Sequence, residues 1–339
     1  MVQIHNQLDI IEQIDKFIAR SESEIEELFA KRLKEILATL SNMYNKFVTS
    51  DETSYTDLNK YNRLSKELER IATALNNDYK QVVKMVEVSQ QRIYVEQYLM
   101  MMYLFEVYQS TETGFSLPNA ETIAIALKNP IEFLGLVPTL EQHRNEVIRK
   151  LNIEITSSLM SGEGYWKMAE RIEKAVGFSK HKARTVARTE GGRARSIADE
   201  AVTEEMKKYA DIDDMWLSTL DTSTRHAHRE LDGQKSDDEG YFHYKTMKAR
   251  APHLWNVASM DINCRCVKLK LINGQLPSVR RGRDYRDPGY QQRLADKIAE
   301  HMANGDTYAQ AYKKANKRVI APSVVVPFIT YEDWVDKAK

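Results

Sequence analysis

Residues 6–49 contain neither glycine nor proline and place an apolar residue at nearly every third or fourth position. Leu8, Ile11, Ile14, Ile18, Ile25, Phe29, Leu33, Ile36, Leu40, Tyr44 and Phe47 make this stripe, with charged residues between them. That period predicts one long helix whose apolar side seeks a partner. A polar turn follows at Thr49–Asp57, rich in N-cap residues. A second helical pattern then runs through Tyr55, Leu58, Tyr61, Leu64, Leu68, Ile71 and Leu75. It grows more apolar at Tyr94–Tyr108, which reads as a core helix, the alternative being a surface that docks on another subunit.

Gly114 and Pro118 mark a linker at Gln109–Ala120, and Pro130 and Pro138 leave one short helix and an irregular connection after it. Helix resumes near Leu140 and stops near Gly162. A further helix through Trp166, Ala169, Ile172 and Val176 is expected to end at Gly177, with Ser179 capping the next. In that next helix, Gly191 and Gly192 cost about 1 kcal/mol each relative to alanine, which implies a kink or a close backbone contact. Alternation predicts strands at Met215–Asp221 and Cys264–Ile272. A basic loop follows Gly274, then an amphipathic helix at Tyr290–Ala303 and a proline-bearing tail. The expected fold is mostly α with a smaller α+β unit: a long N-terminal helical region, a helix-plus-antiparallel-strand domain and an extended tail. Its divisions are a long-helix docking region at 1–110, a linker and short helix at 111–139, the α+β domain at 140–275, and the basic loop, helix and tail at 276–339.

A chain of 339 residues accommodates two or three domains. Lys and Arg together number 49, as do Asp and Glu, so nucleic acid or a membrane would have to meet a local patch. The two cysteines point to a reducing compartment, and neither a signal peptide nor a spanning apolar stretch is expected.

Both cysteines stand in one C-x-C, Cys264 and Cys266. Three readings compete: metal ligands, a redox pair, or two small buried residues. A structural zinc would need two further ligands, drawn from His226, His228, His243 and His253. A redox pair would need an activating helix N-terminus. The segment Asp221–Gly233 offers Asp221, Arg225, His228 and Asp232, either as an acid/base or metal-bound set or as a network fixing a loop. His228, His253 and Asn263 loosely mimic a histidine-metal nuclease, without its spacing. No nucleophile elbow, H-E-x-x-H or phosphate loop occurs. Lys180, Lys182, Arg184, Arg188, Arg193 and Arg195, and the later Arg280, Arg281, Arg283 and Arg286, are candidate DNA contacts. The alternatives are a solvated face and an Arg188–Glu190 ion pair.

Taken in order, these motifs resemble the phage Mu F-like minor head proteins, also called phage head morphogenesis proteins. Arg188, Thr189 and Glu190 match that family's R-T-E helix. Asp221, Thr224, Arg225, His228, Leu231, Asp232 and Gly233 match its D-x-x-T-R-x-x-H-x-x-L-D-G loop, and Asn263, Cys264, Arg265 and Cys266 its closing N-C-R-C. The ending around Trp334 is similar too. The resemblance covers about 140–275 and the tail. Where the family often has His-Pro before N-C-R-C, this chain has Asp261-Ile262, so a metal site using that histidine would need Asp261 or His253 instead.

The resemblance implies a minor capsid protein of a tailed phage or prophage. It would act in the head interior or at the portal vertex, and in the host cytoplasm during assembly. Its partners would be the portal protein, the major capsid or scaffold protein, and double-stranded DNA, with a part in head morphogenesis or DNA ejection and no membrane. Arg188, Glu190, Asp221, Arg225, His228, Asp232 and Arg265 would form a structural network rather than a catalytic one. Some members carry ADP-ribosyltransferase domains after this unit, and the tail beyond Gly274 is too short for one. The rival reading is a metal-dependent hydrolase or nuclease using His228 with the Cys264/Cys266 region, and Cys264, Cys266, His228 and His253 are the metal candidates.

Overall fold

The computed structural model describes residues 4–47, 63–110, 112–128, 135–161, 163–275, 278–330 and 333. The polar turn at 49–57, the stripe residues Tyr55, Leu58 and Tyr61, and Trp334 lie outside them. The chain divides into two compact units that do not follow chain order. A helical unit holds Ile10–Val202 and Asn256–Cys264, and an α+β unit holds Met1–Asp9, Thr203–Trp255 and Arg265–Lys339.

The helical unit is built on α1 (Gln7–Phe47) and α2 (Arg63–Gln109), the two long helices that the apolar stripes predict. Short α3 (Ala120–Leu127) is capped by Asn119, whose side chain accepts from Thr122 N–H at 2.8 Å. Then come α4 (Leu136–Met160) and α5 (Tyr165–Met206). The stripes meet in one core: Ile25, Phe29 and Leu40 of α1, Leu75 and Val82 of α2, Leu140, Leu151 and Ile155 of α4, and Met168 and Ile172 of α5. Burying each such side chain contributes roughly 1.5–3 kcal/mol. The apolar stretch at Tyr94–Tyr108 is buried on one side, as a core helix requires, and exposed on the other. Tyr94, Tyr98, Met101, Met102, Leu104 and Phe105 are buried, while Leu99, Tyr103, Val107 and Tyr108 are exposed.

The break expected at Gly177 is absent, and α5 runs unbroken through Gly177, Gly191 and Gly192. Ser179, expected as an N-cap, is instead buried beside the Tyr79 hydroxyl, with which it shares a hydrogen bond. Ile172, Val176, Ala183 and Ala187 continue the buried face across the glycine, and this packing outweighs its propensity cost. Gly191 marks a close approach, as expected. A Cβ there would lie 2.9 Å from Ile18 Cγ1 and 3.2 Å from Ile93 Cδ1.

The α+β unit centres on β1 (Ile212–Leu217) and β4 (Val267–Ile272), antiparallel, with Trp216 opposite Lys268 and Asp214 opposite Lys270. Both strands are shifted from the expected spans: 218–221 is loop, and Cys264 and Cys266 precede β4. Helix α6 (His226–Leu231) and the hairpin of β2 (Phe242–Tyr244) and β3 (Met247–Ala249) lie between them in sequence. So does α7 (Ala258–Asp261), which packs in the helical unit. Trp216, fully buried, meets Phe242 and Trp255 edge-on at centroid distances of 5.4 and 5.8 Å.

The expected basic loop after Gly274 is β5 (Val279–Arg283), and the expected tail supplies its partner, β6 (Ser323–Pro327). Between them stand α8 (Pro288–Ala303), close to its expected span, and an unforeseen α9 (Tyr308–Asn316). Tyr290, Leu294, Ala315 and Ala321 give these elements a small core of their own.

Candidate functional site

The D-x-x-T-R-x-x-H-x-x-L-D-G segment leaves β1 and turns into α6, and nearly every polar residue of it is bonded inside the α+β unit. Asp221 accepts from Ser223 N–H at 3.0 Å and from the Thr224 hydroxyl at 3.2 Å. Arg265 grips the same carboxylate with both terminal nitrogens, one bond being 2.9 Å, and reaches the Ser223 hydroxyl at 2.9 Å. Burial opposes ionisation of Asp221, but Arg265 more than offsets it and holds the carboxyl below its ordinary range. Arg225 is the half-buried N-cap residue of α6.

Asp232 closes the loop. It accepts from Ser218 N–H at 2.7 Å and from Arg280 at 2.8 and 3.0 Å. Neither side chain of this ion pair is more than 1% exposed. Arg280 also donates to the carbonyls of Ser218, at 2.6 Å, and Ile329. Ser218 is the hub that sequence reasoning missed. Its hydroxyl accepts from Trp216 Nε1–H at 3.1 Å and donates to the His228 carbonyl. Cys266 Sγ lies 3.6 Å from that hydroxyl and 3.3 Å from His228 Nδ1.

Two buried lysines of β4 were also missed as a site. Lys268 and Lys270 reach Asp214 at 2.8 and 2.9 Å, and Lys270 also donates to the Thr203 hydroxyl. Burial raises the Asp214 carboxyl, and the two ammonium groups reverse this, bringing it down to about 2. Gln7 clamps the edge of β4, donating to Lys270 C=O at 2.9 Å and accepting from Lys270 N–H at 2.8 Å.

In the helical unit the R-T-E residues of α5 diverge. Arg188 pairs with Glu22 of α1 at 2.6 Å, and Glu190 pairs with Arg193 at 2.9 Å and Gln90 at 2.7 Å. The Arg188–Glu190 pair is therefore not formed, because residues two apart on a helix point to different sides. Burial pushes the Glu190 carboxyl up, against the pull of Arg193. The Thr189 hydroxyl accepts from Asn263 N–H at 3.1 Å, and Asn263 holds a left-handed φ of 56°. N-C-R-C is thus split between tasks: Asn263 anchors to the R-T-E helix, and Arg265 to the Asp221 loop.

The candidate DNA contacts on α5 face acids contributed by other helices. Lys180 and Arg184 pair with Glu26 at 2.9 and 3.3 Å, and Arg195 with Asp15 at 3.2 Å. Lys182 pairs with Glu146 of α4. Arg193, Arg195 and Arg280 are buried, so these three are structural cations rather than surface contacts. Arg283 donates to the Ala321 carbonyl and the Ser323 hydroxyl, both at 3.1 Å, and Arg286 is exposed. Of Arg281 only the backbone, in β5, is described.

Of the metal candidates in the α+β unit, Cys266 and His228 come together, both buried. His253 is fully buried at a φ of 64°, and Cys264 is buried two residues before Cys266. His226 and His243 are surface residues beside Glu230 and Asp237. Asp261, standing where the family has histidine, is fully buried and accepts from Val257 N–H at 3.3 Å. The burial of His228 and Cys266 does not suit the hydrolase reading, which needs them open to a substrate.

The family model for Phage Mu protein F like protein matches residues 149–269, which span both the R-T-E helix and N-C-R-C. The chain is also 38% identical over 284 residues to the minor head protein GP7 of Bacillus phage SPP1, covering 84% of this chain and 92% of that one. The chain belongs to the phage Mu F-like minor head proteins. Its role is accordingly structural, in phage head morphogenesis. It is also 29% identical over 204 residues to an NAD(+)–arginine ADP-ribosyltransferase, EFV, of Enterococcus faecalis. That match covers 59% of this chain and 42% of the transferase. An uncharacterized protein of Haemophilus influenzae is 25% identical over 141 residues, 41% of this chain and 28% of that one. No solved structure matches the chain.

Proposed function

We propose that this minor head protein acts without catalysis, docking on the portal vertex of the procapsid through the outer face of α2. The observation that carries the reading is the exposed ridge of Leu99, Tyr103 and Val107, spaced four residues apart, with Tyr108 beside it. Their exposures are 39, 53, 57 and 60%. The opposite face of the same helix is buried, so the ridge is held rigid before any partner arrives. Large apolar side chains on one exposed helix face suit protein docking. The portal is the expected partner for a member of this family, with incorporation into the virion as the outcome.

The test is co-expression with the portal protein, followed by isolation of portal complexes and procapsids. Wild type is expected to co-purify, and Tyr103→Glu/Val107→Glu to be lost at unchanged thermal stability. Retention of the double variant would remove α2 as the surface. Failure of the wild type to join either particle would overturn the portal reading itself.

A further inference from the structure

The two cysteines are open to three readings: metal ligands, a redox pair, or small buried residues. A redox pair is the poorest fit, because neither thiol stands at a helix N-terminus. Cys264 follows the end of α7, and Cys266 leads into β4. Cys266 Sγ lies 3.3 Å from His228 Nδ1, and both residues are buried. Cys264 is buried two residues earlier in the same run, so the chain itself sets its thiol beside that of Cys266. The donor atoms of His228, Cys264 and Cys266 all lie within 4.8 Å of one another. Among the described residues no other three His, Cys, Asp or Glu side chains converge in this way. With Zn–S bonds of about 2.3 Å and Zn–N bonds of about 2.0 Å, neighbouring ligands of a tetrahedral ion stand ~3.5–3.8 Å apart. The surroundings hold the set in place. Trp216 meets the His228 ring edge-on at 5.9 Å, and the Ser218 hydroxyl donates to the His228 carbonyl. Arg265, between the cysteines, is bonded to Asp221 and brings no cation to the thiols.

We propose that Cys264, Cys266 and His228 bind one zinc ion, which ties α6 to the N-C-R-C run. Binding releases the two thiol protons to solvent and leaves two thiolates and a neutral imidazole on the ion. Their charges cancel that of a divalent cation, so no net charge is buried. Monovalent copper in the same set leaves one negative charge uncompensated, and magnesium or calcium takes oxygen donors instead. Three of the four positions of a tetrahedral site thus come from these residues. The burial that shuts out a substrate suits an ion that serves the fold. This inference does not rest on portal docking, because it concerns buried residues and is measured without the portal.

The experiment is elemental analysis of the full chain, purified in reducing buffer without chelator, incubated with zinc chloride and freed of excess ion. Wild type is expected to retain about one zinc per chain, as is the surface-histidine control His226→Ala/His243→Ala. Cys264→Ser, Cys266→Ser and His228→Ala are each expected to fall well below that, with folding checked by circular dichroism. Chelation is expected to lower the melting temperature of wild type and to leave that of Cys266→Ser unmoved. Loading wild type with cobalt supplies a readout that needs no variant, since thiolate ligands give intense charge-transfer absorption in the near ultraviolet. Zinc retained by Cys264→Ser/Cys266→Ser, or no zinc on folded wild type, would overturn the proposal and leave a thiol–imidazole hydrogen bond only. Where the cysteine variants do not fold, absence of the thiolate band from cobalt-treated wild type overturns it equally.

Discussion

Ser218 shows how much of this unit depends on one small residue. Its amide, carbonyl and hydroxyl all bond to groups of the Asp221–Gly233 segment, β1 or Arg280. The energetic weight lies in the Asp232–Arg280 pair behind it. Removing one partner strands the other's charge in a site where neither side chain is more than 1% exposed, which costs about 3–5 kcal/mol. Arg280→Met is therefore expected to lower the urea midpoint sharply. Asp232→Asn/Arg280→Met should recover part of the loss, because the uncompensated charge is gone. Equal destabilisation by the single and double variants would show that packing, not charge, sets the cost. Arg280 was taken for a DNA contact because an arginine-rich run looks the same in sequence whether its side chains point outward or inward. Only the position of Asp232, 48 residues away, separates the two.

The element that departs most from expectation is α5, and its glycines distinguish propensity from packing. At Gly177 a Cβ meets nothing within 4 Å, so Gly177→Ala should stabilise by up to about 1 kcal/mol. At Gly191 the same change drives a methyl to 2.9 Å from Ile18 Cγ1, and overpacking of this kind costs about 1–3 kcal/mol. Thermal melts of the two variants should therefore move in opposite directions. Two shifts of the same sign would contradict the close approach at Gly191. The helices themselves were legible, since their period repeats over dozens of residues. The stop at Gly177 was misplaced because a local signal worth about 1 kcal/mol is easily outweighed by a continuous buried face. The cations of α5 were legible as residues, but the acids that meet Arg184, Arg188 and Arg195 come from α1, more than 150 residues earlier.

At the scale of the whole molecule, stability should depend on acid through Asp214 and Asp221. Both carboxyls are depressed in the folded chain, Asp214 to about 2 from an ordinary 3.8. Their contribution is present above the unfolded value and is lost as pH falls through the folded one. For Asp214 this amounts to about 2 kcal/mol, lost between pH 3.8 and about 2. Urea midpoints taken down this range should fall more steeply for wild type than for Asp214→Asn/Lys268→Met/Lys270→Met. Parallel curves would remove this cluster as the cause.

By itself the sequence determined the helical N-terminal half, the small α+β unit and the family, since periodicity and ordered motifs are properties of the chain. Tertiary structure alone decided which charges face inward and that the tail returns to pair with β5. The physical reason is that charge compensation and strand pairing are made between residues far apart in sequence. A side chain's role there depends on the partner that folding places beside it.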